Sequence, residues 1–280
     1  MNSLWGTRII VALLIFAGAF SLFQASWLAS KPGGAPKLVA SGPVDVPRDG
    51  AGCVIQGGLA RGAEQASPET LMLQTAVGFG ADAIVIDGEM ADGKAVLPRF
   101  FAGKCPSDAS RPRAAQAEAM ARLSKPDQFI RVNDAAHAKA VLASAPAVAG
   151  DKASGQARIF FGPEAATAAI SDQAAFSIEN AQACTSSYRV SGLWGGVSDI
   201  CRGGTMLLEL GDLGYTLWGW PDRFLARMKA ANVRLIIVAG VEDGEIRGLT
   251  KLPQYSDIAR SYNGYIWVDN IAELGPALKR

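Results

Sequence analysis

The sequence predicts an α/β fold in which short parallel strands alternate with helices. Apolar stretches with strand character recur roughly every 15 to 35 residues, and stretches with helical character separate most of them. Roughly seven or eight such strands occur, which favours a barrel over an open sheet. The chain has 280 residues, of which 49% are hydrophobic, and α/β barrels commonly use about 250 residues.

The first element is an apolar segment. Residues 9–29 carry no charged side chain, and about 20 apolar residues span a bilayer as a helix. Trp5 and Trp27 lie near its ends, where tryptophan is enriched at membrane interfaces. We favour an uncleaved transmembrane anchor in residues 1–30. The alternative is a signal peptide cleaved near residues 17–19, followed by secretion.

A linker and then one globular domain are predicted after the anchor. Residues 31–52 are rich in proline and glycine, which is typical of a linker. The domain is expected to cover residues 53–280 and to start with a short strand at residues 54–55.

The next two elements have clear boundaries. A helix is predicted to start at residues 67–70, because serine caps a helix, proline fits its first turn and an acidic residue favours its N-terminus. Residues 83–86 are apolar throughout, as in a strand that is buried on both faces. Asp87 follows this strand directly, so it is a candidate for the mouth of a barrel.

The remaining elements continue the alternation. Residues 221–231 form a clear amphipathic helix, with Phe224, Leu225 and Met228 on one face. Further helices are predicted at residues 133–145 and 271–279. Further strands are predicted at residues 129–132, 158–161, 175–178, 190–193, 205–210, 233–238 and 265–268.

Composition excludes several function classes. The net charge is +1 and no basic block occurs, so nucleic-acid binding has no electrostatic support. The chain has a single histidine, His137, which excludes a pair of histidines as acid and base and a metal site built from several imidazoles. His137 is predicted to lie on a helix surface.

The cysteines favour disulfides. The four cysteines have no CxxC spacing, which argues against zinc and thioredoxin-like sites. An even number fits two disulfides in an oxidising compartment. Of the three possible pairings we expect the local one, Cys53–Cys105 and Cys184–Cys201. Four buried thiols are the alternative.

Several short motifs occur in a specific order. They are VIQGG, PET, GADAIVID, DG, LWGWPDRFLARM and NGYIWVDN, between residues 54 and 270. Together they resemble the glycerophosphodiester phosphodiesterase family over about residues 53–275. The resemblance implies a TIM-type (β/α)8 barrel, which need not be fully regular, behind the transmembrane helix. Because the anchor exports the rest of the chain, we expect a single-pass protein of a bacterial inner membrane with its barrel in the periplasm, and secretion after signal-peptide cleavage is the alternative.

The sequence departs from the family at the catalytic positions. The family hydrolyses phosphodiesters with two histidines and a divalent cation held by carboxylates. The resemblance places Gln56 and Arg99 at the histidine positions and Val85 at the first carboxylate position. It keeps Asp87, and residues 129–132 contain no acid for the third carboxylate. One carboxylate is a poor site for a hard cation.

We therefore expect a degenerate phosphodiesterase-like envelope protein that binds a phosphodiester, a lipid headgroup or a saccharide without the family's hydrolysis. Gln56 and Arg99 can bind phosphate through amide and guanidinium donors. Trp218 and Trp220 can stack on a sugar or a glycerol group. Asp269, which follows the last strand, is a further candidate ligand-binding residue.

Two alternatives stay open. In one, the protein is an active phosphodiester or glycoside hydrolase with altered chemistry, in which Asp87 and Glu209 are catalytic and Arg99 assists. Only in that alternative do we expect a divalent cation, Mg²⁺ or Ca²⁺, with Asp87 as a ligand. In the other, the protein is a structural subunit of a membrane complex with a protein partner in the envelope.

Overall fold

The computed structural model describes residues 33–41, 68–97, 115–123, 126–144, 157–170, 173–214 and 216–279, together with isolated helical positions between residues 10 and 18. No helix within these residues is long and apolar enough to cross a membrane. The predicted strand at residues 54–55, Gln56, Arg99 and the Cys53–Cys105 pair lie outside the described residues, as does nearly all of the predicted anchor.

The centre of the molecule is an eight-stranded parallel sheet that curves into a nearly closed barrel, as predicted. Two short antiparallel hairpins, formed by residues 89–96 and 240–247, accompany it among the described residues. The strands are β1 (Lys37–Ala40), β2 (Ala83–Ile86), β3 (Glu89–Ala91), β4 (Lys94–Val96), β5 (Asp127–Arg131), β6 (Arg158–Gly162), β7 (Ala175–Ser177), β8 (Thr205–Glu209), β9 (Arg234–Val238), β10 (Gly240–Glu242), β11 (Glu245–Arg247) and β12 (Tyr265–Val268). The order around the barrel is β7-β6-β5-β2-β1-β12-β9-β8.

Helices cover the outside of the sheet. The apolar face predicted for residues 221–231 is confirmed, because Phe224 and Met228 are buried. The helices are α1 (Pro68–Gly78), α2 (Gln116–Arg122), α3 (Ala135–Ser144), α4 (Glu164–Thr167), α5 (Ile178–Ser191), α6 (Asp222–Ala230), α7 (Leu252–Tyr255) and α8 (Ile271–Leu278).

The structure corrects two strand predictions. Residues 37–40, which the proline- and glycine-rich pattern assigns to a linker, form the central strand β1. This strand pairs with β12 on one side and β2 on the other, and three of its four residues are buried. Residues 190–193, predicted as a strand, are helical instead, because α5 runs on to residue 191 and a 3₁₀ turn follows it.

The strands separate two cores, because side chains alternate between the faces of a strand. Leu38, Ile84 and Ile130 point outward and pack between the sheet and the helices. Inside the barrel, the rings of Phe129 and Phe161 pack edge-to-face against Trp267, with centroids 5.6 Å and 5.3 Å from its ring. This aromatic layer fills the middle of the barrel.

Polar layers lie above and below the aromatic layer. At the end where the strands begin, which we call the floor, Lys37 Nζ lies 2.8 Å from Asp127 Oδ2, and the Tyr265 hydroxyl donates to the same oxygen at 3.0 Å. At the end where the strands finish, which we call the mouth, the polar side chains include Asp87 and Arg131. Any ligand site inside the barrel is therefore at one of its ends.

Two further predictions concern single side chains. The Cys184–Cys201 disulfide is confirmed, with Cα atoms 5.0 Å apart. The surface position of His137 is wrong, because the side chain is fully buried. Its Nε2 lies 3.0 Å from Gln116 Oε1, and its Nδ1 accepts from the Asn133 backbone N–H.

Candidate ligand site at the barrel mouth

The mouth contains a cavity of about 320 Å³. Its apolar side is formed by Val85, Phe161, Ile178, Ile246 and Trp267, so the aromatic layer closes it from below. Its polar side is formed by residues that end or directly follow the barrel strands or belong to the β10–β11 hairpin: Ser41, Asp87, Arg131, Gly244, Glu245, Arg247 and Asp269.

Asp87 directly follows β2, as the sequence predicts. Its side chain is 44% exposed, but Oδ1 is shielded from solvent and has no hydrogen-bond partner. Burial raises the pKa of this carboxyl, the positive charge of Arg131 lowers it in part, and the negative charge of Glu245 raises it further. The positive charge of Arg131 therefore offsets only part of the cost of burying the ionised Asp87 carboxylate.

Arg131 ends β5 and places a guanidinium between two carboxylates. Its Nη2 pairs with Glu245 Oε1, and its Nη1 lies 4.0 Å from Asp87 Oδ1. Burial alone would lower the pKa of Arg131, but the hydrogen bond to Glu245 and the charges of both carboxylates raise it. The cavity therefore contains a permanent cation.

Glu245 reaches Arg131 from the opposite wall of the barrel. It belongs to the hairpin formed by residues 240–247, which follows β9 and which we call the strap. In the strand order, β9 lies four positions from β5, so the strap crosses the mouth. Its tip turns at Asp243 and Gly244, whose φ values are 51° and 75°, as expected for a two-residue hairpin loop.

The base of the strap is fixed to the sheet. The Ala239 N–H donates to the Arg247 carbonyl at 2.8 Å, and the Leu249 N–H donates to the Trp267 carbonyl at 2.8 Å. The ion pair of Glu245 with Arg131 ties its far side to the other wall. The strap is therefore held at both ends above the cavity.

Asp269 lies in the same cavity, as a candidate ligand-binding residue should. Its Oδ1 accepts a hydrogen bond from the Ser41 hydroxyl, and its Oδ2 accepts one from the Gly248 N–H at 2.8 Å. Ser41 follows β1, so its position depends on the strand that the sequence pattern does not reveal. Asp269 is thus a carboxylate held in a fixed orientation.

The structure does not place Glu209 or Trp218 among the residues lining this cavity. Glu209 ends β8 as predicted, and its Oε1 accepts from Gln182 Nε2 at 3.4 Å. Trp218 is 37% exposed, and its indole N–H donates to the Arg189 carbonyl at 2.7 Å. The predicted pairing of Asp87 with Glu209 in one site is therefore not seen.

The ligand-binding role predicted for Trp220 is wrong. The side chain is 2% exposed, and its ring lies 5.5 Å from that of Phe224 in the outer core. The physical reason is its place beside the buried face of α6. A tryptophan that precedes a helix can stack on a ligand only if its ring is exposed to solvent, and the side chains of α6 bury this ring.

Sequence reasoning missed Arg131, Glu245 and Ser41. A signal existed for the first, since Arg131 follows four buried residues of β5 and such strand ends form the mouth of a barrel. A signal also existed for the strap, since an Asp-Gly pair between short apolar stretches predicts a tight hairpin. The acidic composition of residues 242–245 suggests a solvated turn, so their contact with Arg131 across the mouth was not predicted.

The resemblance implies a divalent cation at this mouth, and the residues present do not fit one. Val85, at the first carboxylate position, offers no oxygen ligand, and a guanidinium lies 4.0 Å from Asp87. A hard cation takes about six oxygen ligands, and the charge on Arg131 opposes its binding. Within the described residues no cluster of three metal-binding side chains occurs.

Comparison with solved structures identifies the fold. The glycerophosphoryl diester phosphodiesterase domain of a protein from Mycobacterium tuberculosis superposes with a TM-score of 0.55 at 15% identity, covering 88% of this chain and 100% of that one. This chain has a glycerophosphodiester phosphodiesterase-like barrel fold. The phosphodiesterase of Agrobacterium tumefaciens gives a TM-score of 0.48 at 14% identity, covering 87% and 99% of the two chains. No family model and no curated protein sequence matches the chain.

Proposed function

We propose that this phosphodiesterase-like barrel binds a phosphodiester with a small polar headgroup at its mouth and does not cleave it by the family's metal-dependent route. The observation that carries the proposal is Arg131, a guanidinium in the mouth cavity beside Asp87. A guanidinium binds phosphate oxygens through paired N–H donors. It supplies the positive charge that a metal supplies elsewhere, but it cannot activate a bound water as a metal does.

The other lining residues indicate the rest of the ligand. Asp87 and Asp269 are acceptors for hydroxyl or ammonium groups, and Trp267 gives the cavity an aromatic base. A cavity of about 320 Å³ is small among ligand pockets. Phosphate beside an amine or a polyol matches this set of charges, so a lipid headgroup such as glycerophosphoethanolamine is the ligand we expect. Gln56 and Arg99 remain proposed contributors to it.

Binding tests the role of Arg131. Titration calorimetry with glycerophosphoethanolamine should detect binding to the native chain. Arg131→Lys keeps the charge but loses the fork of donors, and we expect it to weaken binding by about tenfold. Arg189→Lys is the matched control, because Arg189 does not line the cavity. Equal binding by the native chain and Arg131→Lys, or no binding by the native chain, would contradict the proposal.

Hydrolysis is tested separately. With Mg²⁺ or Ca²⁺ present, the native chain should release no more glycerol 3-phosphate from glycerophosphoethanolamine than Asp87→Ala does. Metal-dependent release well above that variant would overturn the loss of the family's reaction while leaving the binding site in place.

A hydrolase with altered chemistry is the second candidate, and one observation favours it. The mouth cavity contains two carboxyl groups in different settings: Asp87, whose pKa burial raises, and Asp269, which accepts two hydrogen bonds. Such a pair can divide acid and base roles. We therefore propose Asp87 with Asp269 for this candidate in place of Asp87 with Glu209, because Asp87 and Asp269 line one cavity. Metal-independent release that Asp87→Asn abolishes would support it.

The location of the protein is also a proposal. We propose that residues 9–29 anchor it in a bacterial inner membrane with the barrel in the periplasm. The support is the uncharged length of this segment and the disulfide between Cys184 and Cys201, because disulfides persist in oxidising compartments. Protease protection in spheroplasts tests it, and a barrel that is resistant until the inner membrane is opened would contradict it.

A further inference from the structure

We propose that Asn133, Gln116 and His137 are positioning residues for the mouth site. They hold the backbone on both sides of Asp87 and so fix its carboxylate opposite Arg131. None of the three lines the mouth cavity. Their effect on ligand binding rests on the proposed function, whereas their effect on Asp87 is measurable without a ligand.

Strand pairing does not hold the residues that form the site. The hydrogen-bonded pairing of β2 with β5 ends one residue before Asp87 and Arg131. Beyond this last pair the Asn133 side chain joins the two segments, because its Nδ2 donates to the Gly88 carbonyl at 3.0 Å. This bond connects the residues that follow β2 and β5, so it sets the position of Asp87 relative to Arg131.

His137 holds Asn133 from the helix that follows it, α3. Its Nδ1 accepts from the Asn133 backbone N–H at 3.3 Å, so the proton of the neutral ring is on Nε2. This Nε2 lies 3.0 Å from Gln116 Oε1 and donates to it. The amide Nε2 of Gln116 then faces the end of β2, 3.5 Å from the Ile86 carbonyl. One chain of hydrogen bonds therefore joins α2, α3 and the end of β2.

Gly88 shows how closely this chain of hydrogen bonds packs on the segment that contains Asp87. A Cβ added at Gly88 would clash with Gln116 Oε1 and would lie 2.7 Å from His137 Nε2. The φ of Gly88 is not positive, so a glycine is needed here for space and not for backbone conformation. Both neighbouring side chains are fully buried, so they form a fixed surface behind the Asp87 backbone.

This support matters because the Asp87 carboxyl has little other support on its inner side. Its Oδ1 is buried and has no hydrogen-bond partner, and Arg131 Nη1 lies 4.0 Å away, which is too far for a direct hydrogen bond. The backbone on each side of Asp87 therefore determines where Oδ1 lies. A carboxyl oxygen that is held in this way stays available to a donor on a ligand.

Asn133→Ala tests the positioning role in the full chain. Asn133 is exposed, so its replacement removes the bond to Gly88 without opening the core. The carboxyl carbon of Asp87, followed by NMR and assigned with Asp87→Asn, should titrate closer to the ordinary pKa of an aspartate. The reason is that burial raises this pKa, and a less restrained carboxyl is better solvated. Titration calorimetry with glycerophosphoethanolamine should show binding about three- to tenfold weaker than for the native chain.

Gly88→Ala tests the contact from the other side. The added Cβ must displace the backbone beside Asp87 or the two side chains behind it, so binding should weaken by about tenfold or more. Gly211→Ala is the matched control, because a Cβ added at Gly211 meets no atom within 4 Å. Its affinity for glycerophosphoethanolamine should equal that of the native chain.

Asn263→Ala is the control for Asn133→Ala, since Asn263 is also exposed and does not line the cavity. Both the Asp87 titration and the affinity should stay native in it. A native titration of Asp87 in Asn133→Ala would overturn the positioning role. A shifted titration would support this role even if the native chain bound no glycerophosphoethanolamine, a result that would count against the proposed ligand alone.

Discussion

Arg131 is the residue that most distinguishes this mouth from the site that its resemblance implies. It ends the strand where a third metal-binding carboxylate is expected, and it carries the opposite charge. Two carboxylates, Asp87 and Glu245, lie against it. The ion pair of Arg131 with Glu245 joins two walls of the barrel across the mouth. It also neutralises the positive charge that a bound phosphate would need.

Removing the charge of Glu245 should therefore strengthen phosphate binding. In Glu245→Gln the guanidinium of Arg131 loses its closest anion, and the raised pKa of Asp87 loses one of its causes. We expect the affinity for glycerol 3-phosphate to rise by about three- to tenfold, which is up to about 1.4 kcal/mol. Titration calorimetry measures it.

The matched control is Asp199→Asn, which removes the carboxylate of an exposed ion pair with Arg202 at the floor. Its affinity for glycerol 3-phosphate should equal that of the native chain. Unchanged or weaker binding by Glu245→Gln would show that Glu245 does not compete with the ligand for Arg131.

The single histidine should make the fold sensitive to acid. Burial lowers the pKa of His137 below 6.5, and the charge of Asp134 offsets this only in part. The unfolded chain therefore binds this proton at a higher pH than the folded chain does, so the free energy of unfolding falls as the pH drops below about 6.5. The loss continues until the pH reaches the folded-state pKa.

The contribution of His137 is isolated by comparison with His137→Asn. Urea unfolding between pH 7.5 and 5 should show a steeper loss of stability for the native chain than for the variant. The comparison is needed because the raised pKa of Asp87 acts in the opposite direction at lower pH. Parallel pH profiles for the two proteins would contradict the buried, neutral state of His137.

At the scale of elements, the strap is a small unit whose shape depends on its turn. The tip has two consecutive residues in the left-handed region, Asp243 and Gly244. A Cβ added at Gly244 would meet no atom within 4 Å. Replacement by alanine therefore adds backbone strain without a steric clash.

Gly244→Ala should loosen the strap by about 1 kcal/mol, the cost of placing a residue with a Cβ at this φ. Hydrogen exchange of the amides at residues 240–247 should be about fivefold faster, since 1.4 kcal/mol corresponds to tenfold. Gly211→Ala is the matched control, because Gly211 is equally uncrowded but has no positive φ. Equal exchange in both variants would mean that the turn conformation does not hold the strap.

For the molecule as a whole, the sequence predicts the strands and strand ends that a local run of apolar residues marks. The buried strands β2, β5, β6, β8, β9 and β12 were predictable because each is an apolar run, and Asp87 and Asp269 were predictable as the residues that follow two of them. β1 was not, because only three of its four residues are apolar and the glycines and prolines on both sides are typical of a linker. The contact between Arg131 and Glu245 was not predictable either, because it joins elements from opposite walls.

The aromatic layer lies between the two polar ends of the barrel. Phe129, Phe161 and Trp267 come from three strands and are nearly inaccessible to solvent, so they separate the polar floor from the polar mouth. Phe129 also packs edge-to-face on Tyr265, at 5.2 Å. Its side chain therefore links the aromatic layer to the ion pair at the floor.

Phe129→Ala should destabilise the whole barrel. Deleting a fully buried phenylalanine leaves a cavity that neighbouring rings on a closed sheet cannot fill, and the expected loss is about 3–5 kcal/mol in the free energy of unfolding. Phe129→Leu keeps most of the volume and should lose less than about 1.5 kcal/mol. Urea unfolding followed by circular dichroism measures both. A loss for Phe129→Ala no larger than that for Phe129→Leu would show that the layer tolerates a void, and that packing at its centre does not hold the two ends of the barrel apart.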